Sequence, residues 1–284
     1  MKAILCVTDF TSSCDNAIDY ANELARLLNS RLLLFHNIYN GAASGTRESN
    51  SEAYSQHSAS GSAATDPQQR LEAVQRRLQY EATDNRITYE ILVKHGLARA
   101  NIAALVQQEQ VELVVIGSEE TNGLKEVLIG TVAGDIIAAV PCPVLIVPQQ
   151  ASFNPLRKMV FAVDQMGETQ HNTAIVLQLA RIFEAEILFL HVFPEEKAGA
   201  NAMAEEEIYR LNSWHGYDKV SLHLVLNEHI EEGISQFTRK QRADMLVMGY
   251  HNDAPWRHLF TRDYTQEEAF HTYLPMLFTH TERL

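Results

Sequence analysis

The chain has 284 residues, 46 % of them hydrophobic and 21 % charged, and a formal net charge of -13 at pH 7. These proportions are those of globular domains and exclude a disordered or fibrous class, and the length allows one large domain or two ordinary ones. The acidic balance gives no electrostatic pull toward nucleic acid or an anionic membrane, so neither is expected as a partner, and any phosphate site must be assembled locally from backbone donors and helix ends.

Residues 3–7 form a short apolar run ending at Thr8-Asp9, and a helical pattern follows over 14–28, with Ile18, Ala21, Leu24 and Leu28 on one side. A second apolar run spans 31–36. After a segment at 40–66 rich in Ser, Ala and Gly, a helix is predicted over 67–82 from the spacing of Leu71, Val74 and Leu78. That segment has almost no bulky apolar residue, so it reads as a surface excursion unable to offset its own ordering entropy. Then come a strand at 88–93, a helix at 99–108, a strand at 111–117, a helix at 127–139 and a strand at 144–147. Residues 148–155 (PQQASFNP) read as a linker.

The order then repeats. Strands are predicted at 159–163, 186–192, 221–226, 244–249 and 275–278, with helices at 173–183, 202–211, 231–239 and, weakly, 265–270. Asp9 and His36 recur 155 residues later as Asp164 and His191, while Gly117 and Pro143 recur 132 residues later as Gly249 and Pro275. The 23-residue difference is extra chain between His36 and Gly117 in the first copy. Short strands apolar throughout, separated by helices, imply parallel sheets covered on both faces. The expected fold is α/β, with two doubly wound parallel five-stranded sheets in strand order 3-2-1-4-5. These form tandem α/β sandwich domains at 1–148 and 155–284.

No run approaches 18 apolar residues, and the opening MKAILCVTDF is interrupted at Asp9, so the chain reads as cytoplasmic, without membrane span or signal peptide. Cys6, Cys14 and Cys142 show no metal-ligand spacing and read as buried thiols. The twelve histidines form no H-x-x-x-H or H-E-x-x-H pattern, so no metal site is expected. There is no G-x-S-x-G elbow and no P-loop, and Glu119-Glu120 is a poor acid/base pair, so no catalytic residue is assigned.

Ligands of open parallel sheets bind at the carboxyl ends of the strands, where strand order reverses. Asp9 and Gly117 end the first and fourth strands there, and Gly130-Thr131 opens the fourth helix, whose free N–H groups suit a phosphate. Taken alone, Thr131 also reads as an N-cap and Gly130 as a turn residue.

The segments VTDFTSS, LFHN and IGSEETNGLKEVLIGTVAGDIIAAVPCPVLIVP together resemble the universal stress protein family in its tandem form. The resemblance covers most of 1–148 and, more faintly, 155–280. It implies ATP in the first domain, with magnesium accompanying it. Asp9 would contact the ribose or adenine end, Asn37 would stand where a valine usually faces the base, and Gly117, Gly130, Thr131 and Val132 would line the phosphate arm. Nucleotide-binding members share Gly, two residues, Gly, nine residues, Gly, then Ser or Thr. Here the second glycine is Glu120, whose carboxylate opposes an anion unless a cation bridges them.

In the second domain the positions matching Gly130-Thr131 are Arg262-Asp263, and Asn252 replaces the second glycine, so no nucleotide is expected there. The resemblance implies a stress-response protein acting through contact with an unidentified protein partner. It also implies an intramolecular pseudo-dimer of the two domains through their last strands, with a homodimer of whole chains left open. Two alternatives stand beside it: a slow ATP hydrolase using Asp9 or Glu120 to position a metal or water, and a ligand-free interaction module.

Overall fold

The computed structural model describes residues 2–39, 66–82, 87–118, 131–163, 173–194, 216–250 and 274–280. The expected 40–66 excursion lies almost wholly outside these residues, as do the helices expected at 202–211 and 265–270. The chain forms two compact units, one built mainly from residues 1–153 and the other from 154 onward.

In the first unit, β1 (Ala3–Val7) leads into α1 (Ser12–Leu28), followed by β2 (Arg31–Ile38), α2 (Pro67–Glu81), β3 (Tyr89–His95), α3 (Ala98–Gln108), β4 (Val111–Ser118), α4 (Thr131–Ala139) and β5 (Val144–Pro148). The strand order is β3-β2-β1-β4-β5, and every neighbouring pair is parallel. The expected order 3-2-1-4-5 is the observed one. All five residues of β1 and of β5 are buried, which is why their sequences are apolar without alternation.

Chain order runs one way across the sheet from β1 to β3 and the other way from β4 to β5. Right-handed crossovers therefore place α1 and α2 on one face and α3 and α4 on the other. The α1 stripe of Ala17, Ile18, Ala21, Leu24 and Leu28 is buried against the sheet. On α2, Leu71 and Leu78 are buried and Val74 only partly, because this helix covers the edge strand β3. Pro67 opens α2 behind Asp66, whose side chain accepts from the Gln68 N–H at 3.2 Å.

The second unit contains β6 (Lys158–Ala162), α5 (Ala174–Phe183), β7 (Glu186–Phe193), β8 (Val220–Leu226), α6 (Ile230–Gln241), β9 (Met245–Tyr250) and β10 (Met276–His280). Its order is β8-β7-β6-β9-β10, again parallel throughout. The first strand runs 158–162 rather than the expected 159–163. Val163 instead donates its N–H to Leu190 O at 2.9 Å as the chain leaves the sheet.

The repeat extends to single hydrogen bonds. Thr8 N donates to Phe35 O at 2.9 Å, matching Val163 N to Leu190 O. Helix α1 stops at Asn29 (φ 52°) with Ser30 N on Ala25 O, and α5 stops at Glu184 (φ 53°) with Ala185 N on Ala180 O. Both are left-handed caps made without glycine. His36 Nδ1 donates to Thr8 O at 2.8 Å and His191 Nδ1 to Val163 O at 3.0 Å. In each unit the histidine ties the end of the second strand to the end of the first. That bond fixes the tautomer, with the proton on Nδ1.

The three thiols are buried and free. Burial, more than any neighbouring charge, pushes Cys6 well up, Cys142 up to about 12 and Cys14 up to about 11. An acid whose folded pKa is raised stabilises the fold fully below its unfolded pKa of roughly 8.5, and that contribution is lost as pH rises. The native protein should therefore resist a thiol-directed disulfide reagent at pH 8 over the time in which the unfolded chain reacts with all three thiols. Its melting temperature should fall as pH is taken from about 9 toward 11.

Candidate functional site at the carboxyl rim of the first unit

Beyond Val7 the chain leaves β1 and enters α1 within four residues. Asp9 organises that passage. Its Oδ1 accepts from Thr11 N at 3.0 Å, Thr11 Oγ1 at 2.7 Å and Cys14 Sγ at 3.1 Å. Thr11, the N-cap by position, makes no capping bond with its own side chain. Every one of these bonds falls on Oδ1, and Oδ2 accepts from no described residue. Asp9 is only partly buried, and its Oδ1 holds the loop.

Phe10 takes φ 66°, an unfavourable left-handed conformation for a bulky residue. Three contacts hold it there. Thr8 Oγ1 accepts from Phe10 N at 3.0 Å, the His36 ring lies 4.6 Å from the Phe10 ring, and the Arg70 guanidinium sits 4.0 Å above that ring. Burial lowers the His36 pKa, and Arg70 adds to the effect against the raising influence of Thr8 O and Asp9. His36 is thus held neutral at pH 7.

Gly117 lies at the end of β4, one position beyond the Val7–Ile116 register pair. A Cβ on Gly117 would meet Ser13 O at 2.7 Å and Ser13 C at 2.8 Å, both backbone atoms of the first turn of α1. The glycine is required here by helix–strand contact, independently of any ligand. Side chains alternate along a strand, so Ser118 projects to the opposite face, where α3 and α4 lie. Since β4 and β5 are parallel, α4 must carry the chain back along the sheet, which puts its N-terminus, Thr131, at the same rim. Val132 in its first turn is partly buried. Gly130 and Glu120 lie outside the described residues, as do Asp164, Asn252, Arg262 and Asp263 of the second unit.

Asn37 is buried at 6 % exposure and its carboxamide is engaged inside the protein. Nδ2 donates to Gly96 O at 2.8 Å, while Oδ1 accepts from Asn101 Nδ2 at 2.7 Å. Asn101 Nδ2 also donates to His95 O at 3.0 Å. The side chain stitches β2 to the turn between β3 and α3. At the corresponding place in the second unit stand Val192 and Gly233, where a Cβ on Gly233 would come within 2.6 Å of Val192 Cγ1. A polar pair in one unit is thus a valine against a glycine in the other.

Of the six residues expected at the site, the structure brings Asp9, Gly117, Thr131 and Val132 to one rim, with Asn37 beside them but turned to α3. Reading the sequence missed Cys14, Phe10, Arg70 and Asn101. The D-x-T-x-x-C spacing is a usable signal for Cys14; the others meet only through tertiary contact.

Two doubly wound parallel α/β units define a tandem α/β protein. The universal stress protein family model matches residues 1–148 and 155–262, and the chain belongs to that family. Among solved structures, a universal stress protein from Archaeoglobus fulgidus DSM 4304 superposes with a TM-score of 0.69 at 14 % identity, covering 97 % of each chain. A Pseudomonas aeruginosa UCBPP-PA14 protein assigned to the same family gives 0.62 at 14 % identity, over 99 % of this chain and 94 % of that one. At such identity these similarities carry the fold.

Two substitutions test the rim. Gly117→Ala should lower stability by about 1–3 kcal/mol in thermal unfolding without any ligand, because backbone atoms of α1 cannot move aside cheaply. Asn37→Val should cost about 1–3 kcal/mol, since it leaves buried polar partners unmade and drives a branched side chain against the Asn101 Cβ. Adding Asn101→Gly should recover part of that loss, so a double-mutant cycle should give a favourable coupling between the two changes.

Proposed function

We propose that this protein is a cytoplasmic stress-response protein of the universal stress type whose N-terminal unit binds ATP, with magnesium accompanying it, and which acts through contact with a partner protein. The observation that carries this reading is the half-committed Asp9 carboxylate. Oδ1 is fixed by three donors and Oδ2 accepts from no described residue, at the point where strand order reverses. A carboxylate oxygen there suits a ribose hydroxyl or base amino group, and the α4 N-terminus suits phosphate oxygens. The donor set fits a nucleotide.

In this reading Asp9 orients the nucleoside, Thr131 and Val132 at the start of α4 present backbone N–H groups to the phosphates, and Gly130 permits close approach. Bound ATP supplies anionic charge that Glu120 opposes and magnesium offsets. The ligand alters the protein's surface only to the extent that it favours one conformation over another, and the partner reads that difference. Among the described residues no group of three or more His, Cys, Asp or Glu is placed to hold a metal. No described helix is long and apolar enough to cross a membrane.

Calorimetric titration of nucleotide-stripped protein with ATP and magnesium tests the reading. One saturable site per chain is expected, lost in Gly130→Glu and weakened about tenfold or more in Asp9→Ala. Absence of both heat and thermal stabilisation at millimolar ATP would leave the first unit an interaction module without a small ligand.

A further inference from the structure

The chain leaving β5 has the composition of a linker, but most of it is docked. Residues 148–151 form a turn closed by Ala151 N on Pro148 O at 3.0 Å. Asn16 of α1 holds both ends of that turn, its Nδ2 donating to Pro148 O at 2.8 Å and to Ala151 O at 2.7 Å. Gln149 Nε2 donates to Ser12 Oγ at 2.9 Å, and the Phe153 ring meets Tyr20 edge-on with centroids 4.7 Å apart. Ser12, Asn16 and Tyr20 are spaced by four, so they form one stripe along α1. The segment follows that stripe from the helix entry toward its middle, and Ala151 within it is buried.

The second unit takes hold of the chain a few residues later. Asp244 Oδ2 accepts from Arg157 N at 2.7 Å and from Lys158 N at 2.9 Å, and Leu156 is buried. Between the two sets of anchors stand Asn154 and Pro155, both exposed. Proline fixes its own φ and restricts the residue before it, so even this pair has few conformations.

We propose that residues 148–153 are a strap latched on α1, that Asn16 is the positioning residue that latches it, and that Asn154–Pro155 is the hinge between the two units. Asn16 commits both amide hydrogens to the strap, so a change at this one side chain frees the turn. With the latch closed, the two residues between the anchors reach about 7 Å; with it open, residues 149–155 reach about 24 Å. The length of chain free to move between the units is therefore set by a contact inside the first unit, one turn into the helix that follows the Asp9 loop.

A latched strap opens without unfolding the unit that holds it. Hydrogen exchange of the full chain, read at single amides by NMR across a series of low urea concentrations, tests this. In wild type the Ala151 amide should exchange at least about a hundredfold more slowly than an unstructured amide, through an opening that exposes little surface and so depends weakly on urea, while Leu5 and Cys6 of β1 exchange more slowly and with a steep dependence. Asn16→Asp keeps the side chain's shape, removes both donors and places a negative charge near the start of α1, which the helix tolerates. It should speed Ala151 exchange about tenfold or more. Phe153→Ala, which alters the strap and leaves α1 intact, should also speed it. An unprotected Ala151 amide in wild type would mean the strap is not docked, and the proposal fails. It fails equally if Ala151 exchanges only together with Leu5 and Cys6 and with their urea dependence, or if neither substitution changes its rate.

Discussion

The contact on which the first unit depends is the approach of the α1 backbone to the end of β4. With no Cβ at Gly117, the first turn of α1 comes against the strand, and the helix can start immediately beyond Asp9. Everything at the rim inherits its position from that approach. Asp9 must turn inward with one oxygen to satisfy the helix entry, Phe10 must take a left-handed conformation to bridge strand and helix, and Ser118, one residue beyond the glycine, must face the other way. A side chain at 117 would separate these elements and open the crevice by the width of a methyl group or more.

The two units show how far one backbone plan can be filled with different chemistry. The strand order, the histidine strut and the glycine-free helix caps are repeated, and these are the parts that satisfy backbone groups and close the core. What varies is what lies at the carboxyl rim. The Asn37–Asn101 pair becomes Val192 against Gly233, two solutions to one packing problem that each require both partners to change together. His36 is buried and His191 only partly, so the first unit's strand end is the drier and the more tightly specified of the two.

Charge acts here through local arrangement. The chain is acidic overall, and three of the described arginines in the first unit end on carboxylates: Arg31 on Glu90 and Glu109, Arg77 on Asp19 and Glu81, Arg26 on Glu23. Such exposed pairs add little to stability. Arg70, beside the site, rests instead on the Phe10 ring and contributes to the field that keeps His36 neutral.

The sequence alone determined the strands, most of the helices and the strand order. Apolar runs such as Ala3–Val7 record burial on both faces, the spacing of Ile18, Ala21, Leu24 and Leu28 records a helix lying on a sheet, and alternation of the two with right-handed crossovers leaves few topologies. The VTDF and IGSE segments marked the rim. Only the tertiary structure decided why those residues are there. Gly117 reads as a ligand glycine, yet it is demanded by Ser13 of α1, about a hundred positions away in sequence. Asn37 reads as a base-facing residue, yet its amide is tied to Gly96 and Asn101. The Asn16 hold on residues 148 and 151 and the strained Phe10 leave no mark in periodicity at all. Periodicity encodes how deeply a residue is buried. The partner it meets there is set by which distant segments the crossovers bring into contact.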